Sequence, residues 1–151
     1  MNALDGELRD GRHVMSVRVY YEDTDFSGIV YHATYLRFME RGRTNHLRLV
    51  GAGHRALFEQ ASAEAPGFAF VVRSMQIEFL KSARMDDVLE VVTAPEEVKG
   101  ASITLNQRIL RAEELLVEAH VRVAFVCEGR ARPIPKALRT AMRADQDRIG
   151  R

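Results

Sequence analysis

From about Tyr31 to Val50 the chain carries the period of one long amphipathic helix, and this constrains the fold more than any other feature. Tyr35, Phe38, Met39, Gly42, His46, Leu49 and Val50 recur at spacings of three and four, and Leu36 and Leu47 widen the stripe. Gly51 and Gly53 supply the expected stop. A helix with so wide an apolar face is expected to be wrapped by other structure, not laid on a surface.

The segments around it alternate as strands. Val14 to Tyr21 places Val17, Val19 and Tyr21 opposite Ser16, Arg18 and Tyr20. After the helix come Val71 to Phe79, with Arg73, Met75, Ile77 and Phe79 on one face, then the short Val88 to Thr93, then Ser102 to Arg111. Leu115 to Cys127 alternates most cleanly: Leu115, Val117, Ala119, Val121, Val123, Phe125 and Cys127 line one face, with Glu118, His120 and Arg122 opposite. Lys99-Gly100 and Ala112-Glu113-Glu114 read as hairpin connections. Pro133 and Pro135 end the sheet, and Lys136 to Arg143 is expected to be a terminal helix. We read one domain over residues 13–144, with an N-terminal tail at 1–12 and a C-terminal tail at 145–151. The order is strand, long helix, then about four antiparallel strands, an α+β pattern. One sheet face needs a cover and one long helix is there to provide it. Either the sheet curls around that helix, as in the hotdog architecture, or the helix lies flat on an open sheet. The pattern alone does not separate the two.

Composition removes several function classes. The 151 residues carry 22 basic and 21 acidic side chains, a net charge of +1, far from the basic balance of a nucleic-acid-binding domain. The C-terminal cations Arg130, Arg132, Lys136, Arg139 and Arg143 are followed by Asp145 and Asp147 and read as a solvated face, with a site for the phosphates of a cofactor or carrier as the alternative. No apolar run approaches the ~20 residues of a membrane span, and residues 1–12 lack the apolar core of a secretory signal, so a cytoplasmic protein without a membrane anchor is expected. His13, His32, His46, His54 and His120 show no metal-ligand spacing, and the single cysteine, Cys127, sits on an apolar strand face, where a core role is expected. No serine elbow and no glycine-rich phosphate loop is present.

Chemistry concentrates in Tyr21-Glu22-Asp23-Thr24-Asp25-Phe26-Ser27-Gly28-Ile29-Val30-Tyr31-His32. This is a strand end, a turn with three carboxylates, and the start of the long helix. Gly28 permits a positive φ and a close backbone approach. A helix start presents unpaired N–H groups and a positive dipole end, which suit an oxygen that becomes negative in a transition state. A carboxylate facing such a site is the minimum equipment for acyl transfer: it attacks the carbonyl or activates water. Physics alone leaves Glu22, Asp23 and Asp25 as equal candidates, and turn-forming or capping as the alternative for all three.

The run from Val17 to Thr44, VRVYYEDTDFSGIVYHATYLRFMERGRT, resembles the signature of the 4-hydroxybenzoyl-CoA thioesterase family, on the YbgC-like branch associated with the Tol–Pal cell-envelope system. Phe70-Val71-Val72-Arg73, Glu78-Phe79 with Ala83-Arg84, Asp86 to Leu89 and Pro133-Ile134-Pro135 extend the likeness over nearly all of Val14 to Ala144. The resemblance implies a hotdog fold, cofactor-free hydrolysis of acyl-CoA, and a homo-oligomer, dimer or tetramer. It makes Asp25, the last acidic residue before the glycine, the catalytic carboxylate, and places the carbonyl-polarising amide near His32, with Tyr31 beside it. Gly28 and Val30 are then candidate substrate contacts, and Arg73, Lys81 and Arg84 candidate contacts for the phosphates or adenine of CoA. An acyl carrier protein is the alternative donor of the acyl group. Phe26 stands where the aromatic-acyl branch has proline, which favours the envelope-associated branch. Two other readings are a hotdog enoyl-thioester hydratase or dehydratase, whose paired acid and base are not evident here, and a non-enzymatic acyl-CoA or carrier-protein binding module.

Overall fold

The structure, a computed structural model, describes residues 3–53, 59, 63 and 69–149; His54 and the chain ends 1–2 and 150–151 lie outside them. Its strands are β1 (Glu7–Arg9), β2 (Arg12–Arg18), β3 (Ala69–Phe79), β4 (Val88–Val98), β5 (Ser102–Arg111), β6 (Glu114–Cys127) and β7 (Arg130–Ala131). The helices whose full extent is described are α1 (His32–Gly53) and α2 (Lys136–Ile149), with short 3₁₀ turns at Ala3–Asp5 and Tyr21–Asp23. The strands form a single antiparallel sheet in the order β1-β2-β4-β5-β6-β3, and β7 pairs with the end of β6.

The sheet wraps the helix. Within one turn of α1, Asn45 reaches Met15 and His46 stacks on His13, both on β2, while Leu47 shares a cavity with Phe70 and Val72 of β3. β2 and β3 stand four strand spacings apart, about 19 Å in a flat sheet, and a helix with its side chains is only about 10–12 Å wide. α1 thus borders both β2 and β3, and Phe79 of β3 also packs on Tyr35 of α1. Phe38 and Met39 are fully buried against the sheet. Gly42 lets the helix approach β4 closely: a Cβ there would stand 2.9 Å from Thr93 Oγ1 and 3.0 Å from Val91 Cγ1.

Several boundaries differ from expectation. Residues 3–12 do not fray: β1 pairs with β2, Asn45 donates to the Leu4 carbonyl, His13 Nε2 bonds the Asp5 carbonyl, and Arg48 pairs with Asp5. α1 runs through Gly51 to Gly53, and α2 extends past Arg143 to Ile149. β2 ends at Arg18, so Tyr21 lies in the 3₁₀ turn and is exposed instead of sharing a face with Val17 and Val19. β4 continues through Pro95 because it outruns β2, whose last pair is His13 with Thr93, and a bulge follows the proline. A second bulge between Val72 and Ser74 breaks the expected face of β3. Met75 and Ile77 pack on the core, but Arg73 and Phe79 are exposed. The β5–β6 hairpin turns on Ala112 and Glu113, both at positive φ, as a two-residue turn of this hand requires. Cys127 is half-buried at the end of β6, not in the core.

Candidate active site

The loop between β2 and α1 is built almost wholly by its own hydrogen bonds. Asp23 Oδ2 accepts the Tyr20 N–H at 2.8 Å, the Asp23 N–H returns to the Tyr20 carbonyl, and Thr24 Oγ1 donates to the Tyr21 carbonyl. Asp23 is therefore committed to holding the turn. Thr24 then bridges Val30 in antiparallel fashion, and the Asp25 N–H donates to the Ile29 carbonyl at 2.8 Å. The tip is closed by Gly28 N–H on the Asp25 carbonyl and by Ser27 N–H on Asp25 Oδ1 at 2.9 Å, with Gly28 at φ +79°. One carboxylate oxygen of Asp25 thus fixes the side chain, and Oδ2 has no partner among the described residues. Physics left three carboxylates equal; the geometry separates Asp25 from Asp23.

The loop delivers the chain directly into α1. The Tyr31 N–H is taken by the Asp23 carbonyl and the Thr34 N–H by the Tyr31 carbonyl. The amides of His32 and Ala33 have no acceptor among the described residues, so the positive end of a 22-residue helix is open beside the Asp25 turn. The His32 ring is exposed and lies edge-on to Tyr31 (4.7 Å) and Phe79 (5.9 Å). Tyr31 is half-exposed.

A second loop, between β3 and β4, backs this one. The Val30 N–H donates to the Ala83 carbonyl at 2.9 Å, and Ile29 bridges Arg84. The Ala83 N–H donates to the hydroxyl of Tyr35, which is buried on α1, and this burial pushes the phenol's pKa up. Arg111 ties the loop to β5 by donating to Asp87 Oδ2 (2.9 Å), to the Ser82 carbonyl (3.2 Å) and to Glu114 (2.6 Å). The Arg84 amide, with Arg111, holds the Asp87 carboxyl below its ordinary range. Tyr35, Asp87 and Arg111 escaped the sequence reading as site residues. Tyr35 carried only its place in the apolar stripe, and no local pattern joins residues 35, 83 and 111.

The remaining predicted residues divide. Val30 is a core residue at 3% exposure, so its side chain is not presented to a ligand. A Cβ at Gly28 would meet nothing within 4 Å, so its positive φ, not crowding, is what calls for glycine. Lys81 is paired with Glu114 at 2.9 Å. Arg84 and Arg73 are exposed and their side chains have no hydrogen-bond or ion-pair partner among the described residues, Arg84 beside the loop between β2 and α1 and Arg73 at the β3 bulge. Asp25 itself is exposed, and Phe26 next to it is fully so. A cavity of about 630 Å³ opens behind the turn, where Glu22 and Asp23 face Glu40, Arg41 and Arg48, and Asp25 is not part of its wall. In the single chain the carboxylate therefore projects from the end of the wrapped sheet into solvent.

Residues 19–142 match the family model of the thioesterase-like superfamily. The chain is 44% identical over 136 residues to "Acyl-CoA thioesterase YbgC" of Haemophilus influenzae, covering 89% of this chain and 96% of that one. The chain belongs to the thioesterase-like superfamily, on its YbgC-like branch. Among solved structures, a probable thioesterase from Bartonella henselae superposes on this superfamily member with TM-score 0.68 at 39% identity, over 82% of this chain and 98% of the other. The 4-hydroxybenzoyl CoA thioesterase of Pseudomonas sp. strain CBS-3 superposes with TM-score 0.75 at 23% identity, over 86% and 98%, which shows the shared hotdog fold. The curled-sheet expectation is thus the one that holds. Among the described residues, no helix is long and apolar enough to cross a membrane.

Proposed function

We propose that this acyl-CoA thioesterase cleaves its substrate with Asp25 as nucleophile or general base, and with the open amides at His32 and Ala33 receiving the carbonyl oxygen. The observation that carries the reading is the turn at Asp25. Its Oδ1 is pinned by the Ser27 amide, and among the described residues its Oδ2 is unpartnered and the same loop ends in a helix start with two unpaired N–H groups. As the thioester carbonyl becomes tetrahedral, negative charge grows on its oxygen. Preorganised amides are worth most at that moment, because they need no rearrangement. The thiolate is a good leaving group, so a strong general acid is not required. His32, exposed at the first turn, and Tyr31 would flank the thioester.

The exposure of Asp25 calls for a second surface. Tyr21, Phe26 and Tyr31 are exposed around it, and β3, an edge strand, presents Val71, Val72 and Phe79. Such an edge pairs readily with another copy. The reading is a homo-oligomer, dimer or tetramer, in which a neighbouring copy covers the carboxylate and excludes water. Arg84, adjacent to the loop, is then the first choice for the CoA phosphates, with Arg73 next. Lys81 is already neutralised by Glu114. An acyl carrier protein is the alternative donor. The acyl-CoA pool is cytoplasmic, and the proposal places the enzyme there.

The test is a hydrolysis panel of acyl-CoAs from acetyl to palmitoyl, with benzoyl and hydroxybenzoyl, run alongside sedimentation of the same sample. The reading expects release of free CoA by an assembly of at least two copies. Full turnover by a monomer would remove the need for a neighbouring surface, and absence of hydrolysis across the panel would overturn the activity.

A further inference from the structure

A cavity of about 470 Å³ lies beside the C-terminal half of α1, walled by apolar side chains that include Phe70, Val72, Leu105 and Val123. Its size is that of a small-molecule site. Phe70 is held edge-on by Phe125 at 5.2 Å, so this wall is fixed. Two polar groups of α1 in this cavity lack what an interior normally supplies. Arg43 is half-buried and, among the described residues, makes one hydrogen bond, Nη1 to Gln107 Oε1 at 2.8 Å, and no ion pair. Gln107 is fully buried and donates to the Met39 carbonyl and Thr93 Oγ1, so the guanidinium is braced from below while most of its N–H donors stay free. His46 is 1% exposed, and its Nε2, itself sealed from solvent, has no hydrogen-bond partner among the described residues. Buried polar groups of this kind are normally paired.

The cavity is in line with the catalytic end. His32, Leu36, Glu40, Arg43 and Leu47 fall on one stripe of α1, at spacings of four, four, three and four. β3 accompanies the stripe, with Phe79 on His32 at one end and Phe70 in the cavity at the other. Positions 32 and 43 are about 16 Å apart along the axis. A helical side chain leans back about one turn toward the N-terminus, which leaves about 11 Å between the guanidinium and the first amides. At roughly 1.2 Å per bond, a chain of about nine bonds spans that gap.

We propose that this cavity receives the far end of a medium-chain acyl group ending in a carboxylate, with the Arg43 guanidinium as its cation. The substrate class is the monothioester of a dicarboxylic acid. The inference rests on the thioesterase reading, with the thioester between Asp25 and His32. Glu40 also borders the cavity and opposes an anion, but it is exposed, and solvent screens it more than it screens half-buried Arg43. Burial disfavours the Arg43 charge, so an anion brought beside it restores what the interior withholds.

The experiment compares suberoyl-CoA with octanoyl-CoA, which match in length and differ in the terminal carboxylate. The full chain is expected to favour suberoyl-CoA at least tenfold in kcat/KM, chiefly through KM. Arg43→Met is expected to lower that ratio at least tenfold, and Glu40→Gln to raise it. Equal or poorer use of suberoyl-CoA by the unsubstituted chain overturns the inference, as does a ratio indifferent to position 43. If Arg43→Met does not fold, the unsubstituted ratio and Glu40→Gln decide. Absence of hydrolysis of every acyl-CoA removes the thioesterase reading and this inference together. Hydrolysis with no carboxylate preference removes this inference alone.

Discussion

Replacing His46 by leucine removes one ring of a buried imidazole pair and, with it, a specific acid sensitivity. His13 and His46 are both at most 1% exposed, and their rings stack with centroids 5.9 Å apart. Burial, with His13 adding to it, lowers the His46 pKa to about 4, from 6.5 in the unfolded chain. Between those two values the unfolded state holds more protons, so acid favours unfolding and stability rises with pH. For one such group the loss from pH 7 to pH 5 is about 2 kcal/mol, and it levels off near pH 4, where the folded ring also protonates. His13, whose pKa burial also lowers, acts in the same direction. The charged groups beside the pair are Asp5 and its partner Arg48. Asp87, held down by the Arg84 amide and Arg111, and Glu114, held down by Lys81 and Arg111, lose their contributions as pH falls through the ordinary carboxylate range and below it, so most of that loss lies on the acid side of this window. The assay is urea unfolding at pH 7, 6 and 5 for the unsubstituted chain and His46→Leu. The variant should lose about 2 kcal/mol less than the parent over that range. An unchanged pH slope in the variant, or a His46 NMR titration midpoint near 6.5, would refute the reasoning.

Gly42→Ala should destabilise by about 1–2 kcal/mol in denaturant melts. The added methyl meets Thr93 Oγ1, Val91 Cγ1 and Gln107 Nε2 at 2.9–3.2 Å, and that overpacking outweighs the ~1 kcal/mol an alanine adds in an open helix. Tyr35→Phe leaves the buried Ala83 N–H without its acceptor, and the same measurement should register a loss of about 1–3 kcal/mol. Arg111→Met should change stability by under about 1 kcal/mol, because its ion pairs are partly exposed, yet lower acyl-CoA turnover severalfold by loosening the loop that backs Ile29 and Val30.

How much of this was legible in the sequence depended on distance along the chain. α1 was readable because its stripe is local and long, and β5 because its alternation is clean and its turns are short. The wrapped sheet was not separable from a flat one by pattern, since curl is decided where Asn45, His46 and Leu47 meet β2 and β3 at once. The continuation of β4 past Thr93 through Pro95 was not legible, because a proline argues against a central strand unless one knows that β2 has already ended. The Tyr21 to His32 run was visible as a cluster, but the choice of Asp25 over Asp23 needed either the family likeness or the Tyr20–Asp23 hydrogen bond. The bracing of that loop by Tyr35, Ala83 and Arg111 spans 76 positions and leaves no local trace. The burial of Val30 was hidden for a related reason: its neighbours in the motif face solvent, and the turn's bridge to Thr24 sends it inward.

The most direct measurement is the kcat of Asp25→Asn beside that of Asp23→Asn, on an acyl-CoA the parent hydrolyses, with binding followed separately by calorimetry. The account predicts a fall in kcat of at least about a hundredfold for Asp25→Asn, with affinity for the thioester kept within severalfold, while Asp23→Asn acts mainly on stability. Turnover of Asp25→Asn within tenfold of the parent would contradict it.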